Sequence, residues 1–192
     1  MRKKARFEHL QAAVFSGNWT EATRACDQLL RFGGGFNTTA QRKSRRFLLG
    51  LLTQDDALVR NAAALAFRKN KGHWAVSSLL RALLNPANAQ HRGTLAYALE
   101  KLKCRRHLGD LFTVLFSAAG NNWQVQMHIL TVLETQRFTC SPDQRHAIRQ
   151  QWEHLRPDWN RLNNLDETSA TAATALDALL IQSFVDELTG PE

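Results

Sequence analysis

Seven histidines and three cysteines are the side chains of this chain best suited to metal binding or nucleophilic attack. His9, His73, His91, His107, His128, His146 and His154 contain no His-Glu-x-x-His arrangement, which would set two imidazoles on one helix face beside a general base. None pairs with a cysteine at zinc-finger spacing. Glu153 adjoins His154, but neighbouring residues on a helix point in different directions and do not make an acid–base pair. Cys26, Cys104 and Cys140 are odd in number and far apart, which argues against a disulfide framework and for a reducing compartment. Cys26 and Cys104 stand in helical patterns where any small apolar residue would serve. Gly33-Gly34-Gly35 would let a phosphate approach the backbone, yet no Gly-Lys-Ser/Thr follows, so a nucleotide P-loop is not expected. The expectation is a protein without catalytic residues, metal or cofactor.

Binding chemistry is better represented. Arg42, Lys43, Arg45 and Arg46 form one dense basic cluster, and Arg68, Lys69, Lys71, Lys101, Lys103, Arg105 and Arg106 form a second, spaced series. The net charge of +8 conceals a division: residues 1–110 hold 20 Lys or Arg against 7 Asp or Glu, whereas residues 111–192 hold 5 against 10. A field from several unpaired cations draws in a polyanion, either an acidic protein face or nucleic-acid phosphate. The bland alternative is a solvated face. Of five tryptophans, Trp19, Trp74, Trp123, Trp152 and Trp159, most are expected to anchor helix packing. Trp74 and Trp123 begin helices and are candidate anchors for a partner.

The elements that position these residues follow from an internal repeat. Leu48 and Leu51-Leu52 recur 32 residues later as Leu80 and Leu83-Leu84, then as Phe112 and Leu115-Phe116. Ala63, Leu65 and Ala66 recur as Leu95, Tyr97 and Ala98, then as Met127, Ile129 and Leu130. Within each copy the apolar residues keep helical spacing, and turn residues separate the two sets. Each copy reads as helix, turn, helix. Paired helices about a dozen residues long cannot bury their apolar stripes alone, so stacking of successive copies is expected. Residues 1–36 read as a further helical pair, with Asn18 capping the second helix and the three glycines ending it. Residues 142–192 read as capping helices, one over 142–155 and one over 166–188. The domain reading is one unit, 1–192, with three repeats across 39–138.

Leu51-Leu52-Thr53-Gln54-Asp55-Asp56-Ala57-Leu58-Val59-Arg60-Asn61-Ala62-Ala63-Ala64-Leu65-Ala66 resembles a HEAT repeat of the short bacterial variety, in its acidic turn, its Val-Arg and its alanine-rich second helix. The likeness covers residues 44–71, 73–103 and 105–138, and is closest in the first. It implies an all-α fold, a HEAT-like α-solenoid of antiparallel helix pairs, with an Asp–Arg ladder between repeats. Arg60 and Arg92 keep the basic rung, and Gln124 takes its place in the third copy. HEAT-like solenoids also include AlkD-like DNA glycosylases, but no Asp, Arg and Trp of such a site map onto this chain, so that reading rests on fold analogy alone.

With positions 32 apart made neighbours by stacking, Lys69 aligns with Lys101 and Lys71 with Lys103, while Arg42, Trp74 and Arg106 share a position. The expected result is a basic inter-repeat edge. The basic start of the chain is not followed by an apolar signal segment, and no run reaches bilayer-spanning length, so the protein reads as cytoplasmic with no membrane partner. The favoured function is a non-catalytic module that recognises a protein partner: an adaptor, an assembly factor or a toxin-neutralising immunity protein. A nucleic-acid backbone binder is the alternative. Asp177, Asp186, Glu187 and Glu192 supply an acidic C-terminal helix that would compete for the basic edge, or simply cap the stack.

Overall fold

A computed structural model describes residues 2–32, 38–117, 119–120, 122–159 and 178–190. Every regular element among them is helical: α1 (Arg2–Val14), α2 (Trp19–Leu30), α3 (Thr39–Leu51), α4 (Ala57–Lys69), α5 (Val76–Leu84), α6 (Gly93–Leu99), α7 (Leu108–Phe116), α8 (Trp123–Thr135), α9 (Pro142–Leu155) and α10 (Ala178–Thr189). Short 3-10 turns cover His73–Ala75, Pro86–His91 and Arg156–Asp158. No helix is long and apolar enough to cross a membrane among the described residues. The chain divides into two compact units, Met1–Lys103 and Cys104–Glu192, with the division at the end of the second repeat. The first carries 18 Lys or Arg against 6 Asp or Glu and the second 7 against 11, so the charge asymmetry follows the structural one.

In the first unit α2 packs on both α1 and α4, α4 packs on α6, and α6 packs on α5. The helices start where capping side chains satisfy their open backbone donors: Asn18 accepts from Glu21 N–H, Thr38 from Gln41 N–H and Asp56 from Leu58 N–H. The alanines of α4 let its neighbours approach closely, and Ala62, Ala63, Ala64 and Ala66 are all buried beside Val59 and Phe67. Leu48, Leu51, Leu80 and Leu83 complete the core at the repeat positions. The second copy differs in its turn. Pro86 opens a 3-10 segment that takes the place of the first turns of the second helix, leaving α6 only seven residues long.

The second unit holds α7 against α8 and α9, with α9 also against α10. Its aromatic centre is a stack: Phe116 lies 5.8 Å from Trp152, and Trp159 meets both edge-on. Trp152 Nε1 donates to Gln182 Oε1 at 2.7 Å, which fastens α10 to α9. Ser141 and Gln144 form a capping box at the start of α9, with Pro142 at the first helical position as its spacing predicts. Of the acidic C-terminal residues, Asp177 and Glu192 lie outside the described residues, as do Gly33 to Gly35 and the start of the helix expected from 166. Asp186 accepts from Gln182 Nε2.

Burial corrects the repeat register in the third copy. Arg60 and Arg92 are buried, 32 residues apart, and the next buried polar residue in the series is Gln126, not Gln124, which is exposed. Ile129, Val132 and Leu133 then match Leu95, Ala98 and Leu99 at a spacing of 34. The first helix of that copy keeps the spacing of 32, since Leu48, Leu80 and Phe112 are all buried. The two extra residues are absorbed before α8, whose start is set by Asn122 accepting from both Gln124 and Val125 N–H. This slip turns Met127 outward, although the sequence alignment placed it with buried Ala63 and Leu95.

Arg60 is also used differently from the ladder that the HEAT likeness implies. It is only 2% exposed, and its guanidinium donates to the main-chain carbonyl of Gln54 in the preceding turn. Arg92 does the same to Asn85 at 3.2 Å. Asp56 is occupied as a helix cap, and no ion pair joins Arg60 to Asp55 or Asp56 among the described residues. The arginine therefore ties turn to helix within one repeat.

Candidate interaction surfaces

The second helices of the first unit carry an aromatic face. Trp19, at the first position of α2, is 44% exposed, and Tyr97 on α6 is 37% exposed. Between α2 and α4 runs a hollow of about 420 Å³ lined by Trp19, Thr23, Asp27, Leu65 and Lys69, among others. Three of the cations beside this face are paired, whereas Arg24, which also lines the hollow, is exposed with no carboxylate partner among the described residues. Asp27 binds Lys69 Nζ at 3.2 Å and Arg31 at 3.1 Å, and accepts from Asn70 Nδ2 at 2.7 Å. Arg68 pairs with Glu100 at 3.1 Å, lies 3.6 Å from the centre of the Tyr97 ring, and donates to the Tyr97 carbonyl.

Burial alone would raise the Asp27 pKa, but the hydrogen bonds from Asn70 and Lys69 and the charges of Arg31 and Lys69 outweigh it, holding the carboxyl below its ordinary value. A carboxyl with a lowered folded-state pKa contributes stability above its unfolded value, and that contribution is lost as pH falls through the folded value. Asp27→Asn should accordingly cost about 1–2 kcal/mol at neutral pH, a modest figure because the Lys69 and Arg31 heads are largely solvated. Denaturant melts from neutral pH to below pH 4 should show the gap between wild type and variant closing; a constant gap would contradict the assignment.

The other predicted site residues fall into different settings. Lys43 Nζ sits 4.6 Å from the Phe7 ring, and the Arg45 guanidinium 5.0 Å from the Trp74 ring. Trp74 does not begin α5 but lies in the 3-10 turn before it, half-buried and edge-on to Phe67. Arg42, Arg46, Lys71, Lys101 and Lys103 are exposed, with no carboxylate partner among the described residues. Lys71 ends α4 in the left-handed region, with φ of 51°, and the main-chain N–H of Lys103 donates to His73 Nδ1 at 3.1 Å. Burial first, then the Lys103 and Lys71 charges, hold the His73 imidazole below its ordinary pKa.

In the second unit Arg105 and Arg106 are exposed before α7, and the Arg105 carbonyl accepts from Thr139. Trp123 is 62% exposed and Met127, one turn later on α8, 46%, so Trp123 is open as its helix-starting position predicts. Trp19 and Tyr97 were not singled out by the sequence. Trp19 falls outside the three aligned copies, and in the sequence register Tyr97 stands in a column with Leu65 and Ile129, although the structure matches Ile129 to Leu95. An aromatic residue in a column otherwise filled by aliphatics was the available signal for Tyr97.

Burial pushes the Cys26 and Cys104 thiols up to about 12, which leaves them protonated and unreactive at neutral pH. No group of three His, Cys, Asp or Glu side chains able to hold a metal lies among the described residues. No family model, curated protein or solved structure matches the chain.

Proposed function

We propose that this chain is a HEAT-like α-solenoid serving as a non-catalytic recognition module, and that the second-helix face of its first unit binds a protein partner. One observation carries the reading: Trp19 and Tyr97 are open to solvent while the adjacent cations, Arg68 and Lys69, are already neutralised by Glu100 and Asp27. A surface meant for phosphate keeps its cations unpaired. An aromatic face with compensated charge suits the desolvated centre of a protein interface, where Trp, Tyr and Arg supply most of the binding energy. Trp123 and Met127 give the second unit an apolar patch of the same character. The glycosylase reading finds less support, since Asp27, the acid beside Trp19, is committed to three donors. Adaptor, assembly and toxin-neutralising roles all fit such a face.

The test is capture of partners from host cytosol on the full chain, treated with nuclease, followed by calorimetry with the purified partner. Trp19→Ala and Tyr97→Ala should each weaken binding by about 10-fold or more, with melting temperatures held close to wild type. Undiminished affinity in both variants would overturn the proposal.

A further inference from the structure

The two basic clusters that stand apart in the sequence meet in the first unit. Arg45, on α3, lies against the Trp74 ring, and Trp74 follows His73. His73 in turn is bonded to the main chain of Lys103 and feels the charges of both Lys103 and Lys71. Arg42 and Arg46 flank Arg45 on the same helix. These cations therefore run from the start of α3 across the turn after α4 to the turn after α6. Unlike Arg31, Arg68 and Lys69, none has a carboxylate partner among the described residues.

Lys71 adds a second kind of observation. It is the only non-glycine residue at positive φ among the described residues, at a helix end where glycine is the usual occupant. A side chain there costs about 1 kcal/mol relative to glycine. The next residue, Gly72, fills the position where the chain passes close to Phe67, whose nearest atoms would stand 3.3 Å from an added Cβ. With Nδ1 accepting from the Lys103 main chain, the His73 proton resides on Nε2, which makes the ring a neutral donor that feels the Lys103 and Lys71 charges.

We propose that this edge binds the phosphodiester backbone of a nucleic acid, with Lys71 and Lys103 contacting phosphates, His73 donating from Nε2, and the Arg42, Arg45 and Arg46 cluster extending the track. It is a separate surface from the proposed protein-binding face, where Arg68 and Lys69 are paired with Glu100 and Asp27. Nucleic acid is favoured over an acidic protein because the unit's charge is heavily one-sided, 18 cations to 6 anions, and because the open cations lie in succession, as repeating phosphates require.

The test is fluorescence anisotropy of the full chain with a short labelled DNA duplex and a labelled RNA hairpin, at about 50 and about 200 mM salt. Binding should fall steeply with salt. The double variant Lys71→Glu/Lys103→Glu should bind at least about 10-fold more weakly and with a salt slope smaller by about 2. Arg81→Glu, a single charge reversal in the last turn of α5, should bind within about twofold of wild type, as judged against a tenfold step of 1.4 kcal/mol. Lys71→Gly should melt higher than wild type yet bind more weakly, which separates a folding defect from a lost contact. No binding of either probe at low salt, equal binding by the double variant, or tighter binding of polyglutamate or anionic vesicles than of nucleic acid would overturn the proposal.

Discussion

Trp152→Ala should destabilise the second unit by about 3–5 kcal/mol, the range for truncating a fully buried large aromatic. Two losses combine. The indole is wholly buried, stacks on Phe116 and meets Trp159 edge-on, so its removal leaves a cavity among these rings. Its Nε1–H bond to Gln182 is lost, leaving an acceptor shared only with Arg156. That same bond is one of the ties holding α10 to α9, so α10 should loosen before the unit melts. Amide exchange over 178–190 should accelerate in the variant at temperatures where the first unit keeps its protection. Trp152→Phe should keep part of the stacking while losing the hydrogen bond and leaving a smaller cavity, at a cost of about 1–3 kcal/mol. Equal losses in the two variants would show that the hydrogen bond, and not ring packing, dominates.

Arg60 should separate two substitutions sharply. Arg60→Glu places a carboxylate in a buried position against the Gln54 carbonyl, so that one acceptor faces another where the guanidinium donated. A buried, unpaired charge of that kind should cost at least about 3 kcal/mol and unfold the first unit near physiological temperature. Arg60→Met should change stability by about 1 kcal/mol or less. The arginine has no carboxylate partner among the described residues and its Nε is buried without a hydrogen bond, so a flexible apolar chain of similar reach gives up little. Urea denaturation followed by far-UV circular dichroism would measure both. A Met variant as unstable as the Glu variant would mean that the bond to Gln54 is the essential element.

Arg60 also marks how far the sequence was legible. The all-helical class followed from periodicity, since Leu48, Leu51, Leu80, Leu83, Phe112 and Leu115 recur at fixed offsets and are all buried. Local caps were readable for the same reason: Asn18 and Pro142 act within three residues of themselves. The register of α8 was not, because a turn longer by two residues leaves the apolar pattern helical while moving every side chain around the axis. Gln124 and Gln126 are the same residue type, and only burial tells them apart.

The pairing of the charges was illegible for a different reason. Arg68 and Lys69 looked equivalent to Lys71, but the carboxylates that neutralise them lie far off in sequence, Glu100 on the following repeat and Asp27 on the preceding pair. Long-range pairing of this kind leaves no local signature. The same holds for Trp74, whose neighbours Phe67 and Arg45 come from two other helices.

Site-specific photo-crosslinking on the full chain, with a benzophenone amino acid placed at Trp19 or Tyr97 and, for comparison, at Arg81, tests the proposed protein-binding face most directly. The aromatic positions should yield one discrete adduct that survives nuclease and is removed by protease, and Arg81 should yield none. Adducts at Trp19 and Tyr97 that vanish with nuclease, or that match those at Arg81, would contradict the assignment of this face to a protein.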